Sequence, residues 1–244
     1  MQLLVEFNGN GLNLPINYNH ILQGIIYHKL IDAFDYSTFL HDKGFKKNDK
    51  IFKIFTFSKL QGHYKIDNRR IEFDEKVSLE VRSPQVLLIQ LLADSMEREG
   101  LTFGDTKYEI ENLYISDYSV EANDLDITMK TPICVYSTDS LTGFTTFFTP
   151  NDTEFYSHVV ENFRNKYEAY YGVTPNEDIQ ITPLEVKAKD KCVTNFKGIY
   201  ISGWQGKYRL SGKRKYLDFL YNTGLGGKNS QGFGMFDINK YNIE

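Results

Sequence analysis

The stretch Gly224-Leu225-Gly226-Gly227-Lys228-Asn229-Ser230-Gln231-Gly232-Phe233-Gly234, followed by the strand-like Met235-Phe236-Asp237-Ile238, constrains this chain more than any other. Glycines at this density allow positive φ and let the backbone come close to another molecule with no Cβ in between. Successive N–H groups in such a loop can form a nest for phosphate oxygens. Lys228, Asn229, Ser230 and Gln231 add side-chain donors suited to a polyanion. The familiar nucleotide loops do not fit. A P-loop requires Ser or Thr directly after its lysine, where Asn229 stands, and a dinucleotide fingerprint requires a third glycine at that same place. A steric reading stands beside the anionic one: Gly224 ends a short helix, and the other glycines only permit a tight turn.

Composition narrows the class. A 244-residue chain with 41% hydrophobic and 25% charged residues suits two compact globular units. Its 17 Tyr and 18 Phe fit β-rich packing or stacking on bases. A net charge of −4 speaks against indiscriminate nucleic-acid binding, so a basic surface has to be local. One candidate exists: Lys187, Lys189, Lys191, Lys197, Lys207, Arg209, Lys213, Arg214 and Lys215 have only Asp190 among them. Acidic residues collect elsewhere, which predicts one basic face. Cys134 and Cys192 have no Cys-x-x-Cys spacing and no nearby histidine, as expected of reduced thiols in a cytoplasmic protein. With neither a leader-like N-terminus nor a long apolar run, no membrane partner is expected.

The first half reads β-α-β-β-α-β. Gln2 to Phe7 is a strand, and Pro15 to Asn19 leads into a helix that Asn17 or Asn19 can cap. Leu22, Ile25, Ile26 and Ala33 share that helix's apolar stripe. Tyr27 falls roughly 140° from its centre, on a face with His20 and Gln23. A second short helical piece ends through Phe39-Leu40-His41-Asp42-Lys43-Gly44. Lys50 to Ser58 alternates as a strand, with Lys53 on the same side as Ile51, Phe55 and Phe57. A hairpin turns around Asp67-Asn68, another strand covers Val77 to Val81, and a helix runs from Ser83-Pro84 to Gly100. Leu101 to Tyr118 returns as strand. This order is the ferredoxin-like pattern that RNA-recognition modules use widely.

A seam is expected at Glu121-Ala122-Asn123-Asp124, giving domains 1–120 and 121–244. The second half repeats the order irregularly. Strands cover Asp126 to Val135 and Thr145 to Phe148. A long helix, capped by Thr149-Pro150-Asn151-Asp152, ends at Gly172. Strands Ile179 to Lys189 and Gly198 to Leu210 are joined by a basic loop. A short helix from Lys213 to Tyr221 precedes the glycine loop and closing strand. The expected fold is α+β: two tandem ferredoxin-like domains with a C-terminal glycine-rich loop.

Three blocks resemble the CRISPR-associated repeat-processing endoribonucleases, the "Cas six" family of RAMP proteins. They are the glycine loop, Tyr18-Asn19-His20-Ile21-Leu22-Gln23-Gly24-Ile25-Ile26-Tyr27, and Phe39-Leu40-His41 with Lys53-Ile54-Phe55-Thr56-Phe57-Ser58. The resemblance implies a metal-independent endoribonuclease that cuts CRISPR precursor transcripts within the repeat. Carried over residue by residue, it places the catalytic groups at Tyr27, His41 and Lys53. The His41–Lys53 spacing is longer than in the family, because Gly44 to Lys50 reads as an insertion, so Lys47 and Lys50 stay open as substitutes, as do His28 and His20 for the histidine. RNA contacts are expected from Gly224, Gly226, Gly227, Lys228, Asn229, Ser230, Gln231, Gly232 and Gly234, and from Lys187, Lys189, Lys207 and Arg209. Repeat RNA is the implied partner, with other CRISPR-associated subunits and a homodimer left open. The histidines and carboxylates show no metal-ligand spacing such as His-x-x-x-His, and no cofactor is expected.

The chemistry suits these residue types. RNA carries its own nucleophile, the 2′-hydroxyl beside each phosphate. Histidine moves protons near neutral pH, lysine stabilises charge on the phosphoryl oxygens, and tyrosine orients the 2′-hydroxyl or shares proton transfer. A non-catalytic RNA-binding subunit would keep the glycine loop but not need Tyr27, His41 and Lys53 together. An unrelated ferredoxin-like protein binding a small ligand leaves the motif blocks unexplained.

Overall fold

The computed structural model describes residues 1–31, 44–48 and 50–239. The first half carries β1 (Gln2–Asn8), β2 (Leu12–Pro15), helix α1 (Asn19–His28), β3 (Phe45–Lys47), β4 (Lys50–Phe52), β5 (Thr56–Phe57), β6 (Gln61–Asp67), β7 (Arg70–Arg82), α2 (Val86–Glu99), β8 (Leu101–Phe103), β9 (Thr106–Tyr108) and β10 (Ile110–Ser116). The second carries β11 (Asp124–Met129), β12 (Tyr136–Thr138), β13 (Thr145–Phe147), α3 (Thr153–Tyr171), β14 (Gln180–Glu185), β15 (Lys191–Phe196), β16 (Ile199–Trp204), β17 (Lys207–Ser211), α4 (Arg214–Thr223) and β18 (Phe236–Ile238). Among the described residues no helix is long and apolar enough to cross a membrane.

Both halves build the same sheet. In the first the order is β10-β1-β7; β2 continues along the edge of β7 that β1 occupies, and β5 and β6 take its other edge. In the second it is β18-β11-β17-β14, again antiparallel throughout. Each sheet thus runs fourth, first, third, second strand, with one helix after the first strand and another after the third. That is the ferredoxin-like arrangement, twice in tandem. Leu22, Ile25, Ile26, Leu88, Ile89, Leu92 and Met96 of α1 and α2 pack on Leu3, Val5, Phe7, Leu79 and Val81 in the first core. Phe155, Val159, Phe163, Leu217 and Leu220 of α3 and α4 pack on Ile127, Tyr208 and Leu210 in the second. Each such fully buried side chain stabilises by roughly 1.5–3 kcal/mol.

Several expectations change. The hairpin strand at 70–73 and the separate strand at Val77 to Val81 are one strand, because β6 pairs with both, its register shifting between Gly62 and Tyr64 opposite the polar Asp74-Glu75-Lys76, and β1 joins from Lys76 onward. The alternation of Lys50 to Ser58 is not realised as one strand. Ile54 takes φ +52° and leaves the ladder, its side chain entering the second core while Phe55 and Phe57 enter the first. A β-branched residue at positive φ is strained. Here Ser83 Oγ donates to the Ile54 carbonyl at 2.7 Å and Gln85 Nε2 at 3.4 Å. Neither Asn17 nor Asn19 caps α1, whose N-cap is Tyr18 with no side-chain cap bond. The basic loop expected between Lys189 and Gly198 contains β15, which pairs with β16 as a hairpin. The helical piece ending at Gly44, Ala33 and His41 lie outside the described residues.

The two halves are joined by a buried ionic cluster. Arg82, 1% exposed, pairs with Glu80 on its own strand and crosses to β18, where NH1 donates to the Phe236 carbonyl at 2.6 Å and NH2 to Asp237 at 2.9 Å. Its guanidinium lies 3.9 Å over the Tyr221 ring. Lys130 Nζ completes the cluster at 2.5 Å from Glu80.

Candidate active site

A cleft of about 580 Å³ opens where α1, the 50–55 segment, β12, α3 and the glycine loop meet. Its lining includes Tyr27 and Lys53, together with Gly226, Gly227, Lys228, Asn229, Ser230 and Gln231. Residues 27, 53 and 226–231, far apart in the chain, thus share one cavity. Among the described residues four lysines line it, Lys50, Lys53, Lys166 and Lys228, against the single carboxylate Glu161. The positive field a polyanion needs is therefore concentrated here although the whole chain is acidic.

Each group is positioned by identifiable contacts. Tyr27 packs edge-on against Phe55, with ring centroids 6.0 Å apart, and its hydroxyl shares a hydrogen bond with Ser230. Burial pushes the phenol up to about 12, so Tyr27 holds its proton at neutral pH. Lys53 directly precedes the kink at Ile54, which ends the ladder and leaves the lysine in the cleft lining. Of the substitutes, Lys47 is ion-paired with Glu168 and does not line the cleft. Lys50 does, paired with Glu161 at 3.2 Å. His20, whose Nδ1 lies 3.0 Å from the Asn17 carbonyl, and His28 are both outside the lining.

The glycine loop has two faces. Residues 224–226 and 232–234 are buried, while 227–231 are partly exposed and form the cleft wall. Some of the glycines answer the protein rather than a ligand, as the steric reading held. A Cβ on Gly232 would lie 2.8 Å from the Phe57 ring and 2.7 Å from Asn19 Nδ2. On Gly234, at φ +80°, it would lie 2.0 Å from the Leu225 carbonyl oxygen. Gly234→Ala combines left-handed strain with a backbone clash and is expected to cost about 2–5 kcal/mol. Urea unfolding checks this, and a loss within 0.5 kcal/mol, roughly that of a neutral surface change, would refute it.

Sequence reasoning missed a polar stripe on α3 next to its apolar one: His158, Glu161, Asn162 and Lys166, spaced to share one helix face. Lys166 Nζ, fully buried, donates to the Gly224 carbonyl at 2.5 Å and to Asn229 Oδ1 at 2.9 Å. Burial pushes its ammonium down to about 7. Asn229 Nδ2 in turn donates to the Leu225 and Phe233 carbonyls at 3.0 and 3.1 Å, stapling the loop's ends. Lys228 lies 4.6 Å over the Tyr136 ring. His158 stacks on Phe148, 4.7 Å between centroids, with Nδ1 3.4 Å from Glu161. Among the described residues, the buried side-chain atoms without a hydrogen-bond partner are Asn162 Oδ1 and Gln231 Oε1, and both residues line this cleft. Such orphaned acceptors are uncommon in native proteins and suit a site that a polar ligand completes.

The basic run between 187 and 215 behaves differently. Lys187, Lys189, Lys207 and Arg209 do not line the cleft. Lys187 and Lys207 share Glu185 at 2.8 and 3.1 Å, which pull its carboxyl down to about 2, and Arg209 pairs with Asp126 at 2.8 Å. Strand pairing brings Glu185 to Lys207 and Asp126 to Arg209. Among the described residues, one group has metal-ligand geometry, His63, Asp74 and Glu75 on the exposed β6–β7 hairpin, away from the cleft.

Two ferredoxin-like domains with a lysine-lined cleft closed by a glycine loop define an RNA-recognition class of α+β protein. The family model described as "CRISPR associated protein Cas6, C-terminal" matches residues 116–238, half of the chain, and the chain belongs to that family. It is 29% identical over 231 residues to the CRISPR-associated endoribonuclease Cas6 1 of Methanocaldococcus jannaschii, covering 91% of this chain and 86% of that protein. It is 24% identical over 246 residues to the CRISPR-associated endoribonuclease Cas6 of Pyrococcus furiosus, covering 98% and 88%. A solved structure described as "CRISPR associated protein Cas6" superposes with a TM-score of 0.79 at 25% identity, covering 98% of this chain and 99% of that one.

Proposed function

We propose that this protein is an endoribonuclease that cleaves CRISPR precursor transcripts within the repeat. The 2′-oxygen attacks the adjacent phosphorus, the bond from phosphorus to the 5′-oxygen breaks, and the products are a 2′,3′-cyclic phosphate and a 5′-hydroxyl. One proton leaves the 2′-hydroxyl and one reaches the 5′-oxygen, so the step needs no external nucleophile and no metal. The observation that carries the reading is the meeting of Tyr27 and Lys53 with residues 226–231 in one lysine-lined cleft. Lys53 is assigned to the phosphoryl oxygens. Tyr27, protonated at neutral pH, donates a hydrogen bond that orients the reacting groups, and His41 is assigned to proton transfer. Residues 227–231 grip the phosphates and bases on either side. Lys187, Lys189, Lys207 and Arg209 are assigned to RNA running beyond the cleft, exchanging carboxylate partners for phosphates.

The test is cleavage of a panel of end-labelled repeat RNAs in EDTA, beside the same RNA with one 2′-deoxy nucleotide at the mapped cut. Cutting in EDTA that disappears with the deoxy substrate, and falls roughly 10²–10⁴-fold in His41→Ala, is the expected result. Tight binding with no cutting under any condition would make the protein a non-catalytic repeat-binding subunit.

A further inference from the structure

Helix α1 carries more of the site than Tyr27. Asn19, Gln23 and Tyr27 lie four residues apart, each roughly 40° on from the last around the helix, so they form one polar seam. Every member of that seam reaches the glycine loop. Asn19, 3% exposed, donates through Nδ2 to the Gln231 carbonyl at 3.1 Å and the Gly232 carbonyl at 3.3 Å. Gln23 Nε2 donates to the Ser230 carbonyl at 2.7 Å. Tyr27 bonds the Ser230 side chain. Three consecutive loop residues, 230 to 232, are thus held by three consecutive turns of one helix across more than 200 positions of sequence.

We propose that Asn19 and Gln23 are positioning residues that lock the glycine loop to α1, so that RNA seated on the loop is placed against the Tyr27 hydroxyl. The inference rests on the assignment of Tyr27 to cleavage. Its physical basis is register. The loop's cleft wall at 227–231 is backed by its buried ends, but Ser230 is its point of contact with Tyr27. Gln23 fixes the backbone of Ser230 while Tyr27 takes its side chain, so a shift of Ser230 displaces both the RNA and the phenol's partner. Reacting groups lose about 10²-fold in rate for a misplacement near 1 Å. Asn19 secures the next two carbonyls and does not cap its own helix, which explains why a good capping residue is spent elsewhere.

Gln23, only partly buried, gives the clean test. Single-turnover cleavage and equilibrium binding of the repeat RNA that wild type cuts are measured for Gln23→Ala, Tyr27→Phe and the double variant, with melting temperature as a control. Gln23→Ala is expected to slow cleavage roughly 10- to 100-fold with RNA affinity and melting temperature held. In the Tyr27→Phe background the same change is expected to have almost no further effect, because its route runs through that hydroxyl. Rate losses that multiply in the two backgrounds, or a weakened affinity with unchanged rate, would overturn the inference and leave the endoribonuclease reading intact. Normal cutting by Tyr27→Phe would overturn the inference together with that tyrosine's role. Wild type that binds no repeat RNA would remove the functional reading itself.

Discussion

Lys53→Ala is expected to lower the single-turnover rate of repeat cleavage roughly 10²–10³-fold, the usual cost of removing one fixed donor from a developing anionic charge. RNA affinity is expected to weaken far less, because Lys50 and Lys228 line the same cleft. Lys53→Arg keeps the charge but not the compact ammonium, so partial activity is expected. Lys53 stands one residue before Ile54, whose left-handed backbone is pinned by Ser83 and Gln85 from the start of α2. That pin sets where the lysine leaves the strand. Rates measured from pH 6 to 9 add a second check: Tyr27, held protonated up to about 12 by burial, does not titrate in this range. Tyr27→Phe should therefore lower the rate by a constant factor across it. An unchanged rate for Lys53→Ala would move the phosphate-stabilising role to Lys50 or Lys228.

Arg82→Ala is expected to be the most damaging substitution for stability, at about 3–5 kcal/mol. Removing one partner of a buried ionic pair leaves the other charge without compensation. Here Glu80 is 3% exposed and keeps only Lys130, while the Phe236 and Asp237 contacts to β18 and the stacking on Tyr221 go as well. Arg82→Met, which fills the space without the charge, is expected to lose less. Urea unfolding followed by Cm and m-value measures both. Because the cluster ties β7 of the first sheet to β18 of the second, a change in m, with the halves unfolding in separate steps, is a further expected sign. A loss below 1 kcal/mol for the alanine variant would show that the cluster is not what joins them.

The β-α-β-β-α-β order of each half needed no tertiary knowledge. Apolar periodicity, Gly100 and Gly172 as helix stops, and the turn at Asn68 are local signals, and local physics settles them. Tyr27 standing off the apolar stripe of α1, on a face with His20 and Gln23, is likewise a local signal. The cleft itself was not visible, because it is assembled from segments up to about 200 residues apart.

What the chain determined by itself is therefore the pair of β-α-β-β-α-β units and the loop that closes the second. What only the tertiary structure decided is how individual residues spend their bonding capacity. Asn19 looks like a cap and instead holds the glycine loop, since two carbonyls from residues 231 and 232 offer it a buried use. The alternating strand at 50–58 breaks because Ile54 is claimed by the second core. Of the four cations assigned beyond the cleft, Lys207 meets Glu185 and Arg209 meets Asp126 by strand pairing, and Lys187 shares the same Glu185 from two residues along the chain. The cleft's own cations include Lys166, from a helix whose sequence reads as an ordinary amphipathic element. Periodicity records which face a residue takes within its own element. Hydrogen bonds and charges are satisfied by whatever the fold brings near, and that is set by the whole chain.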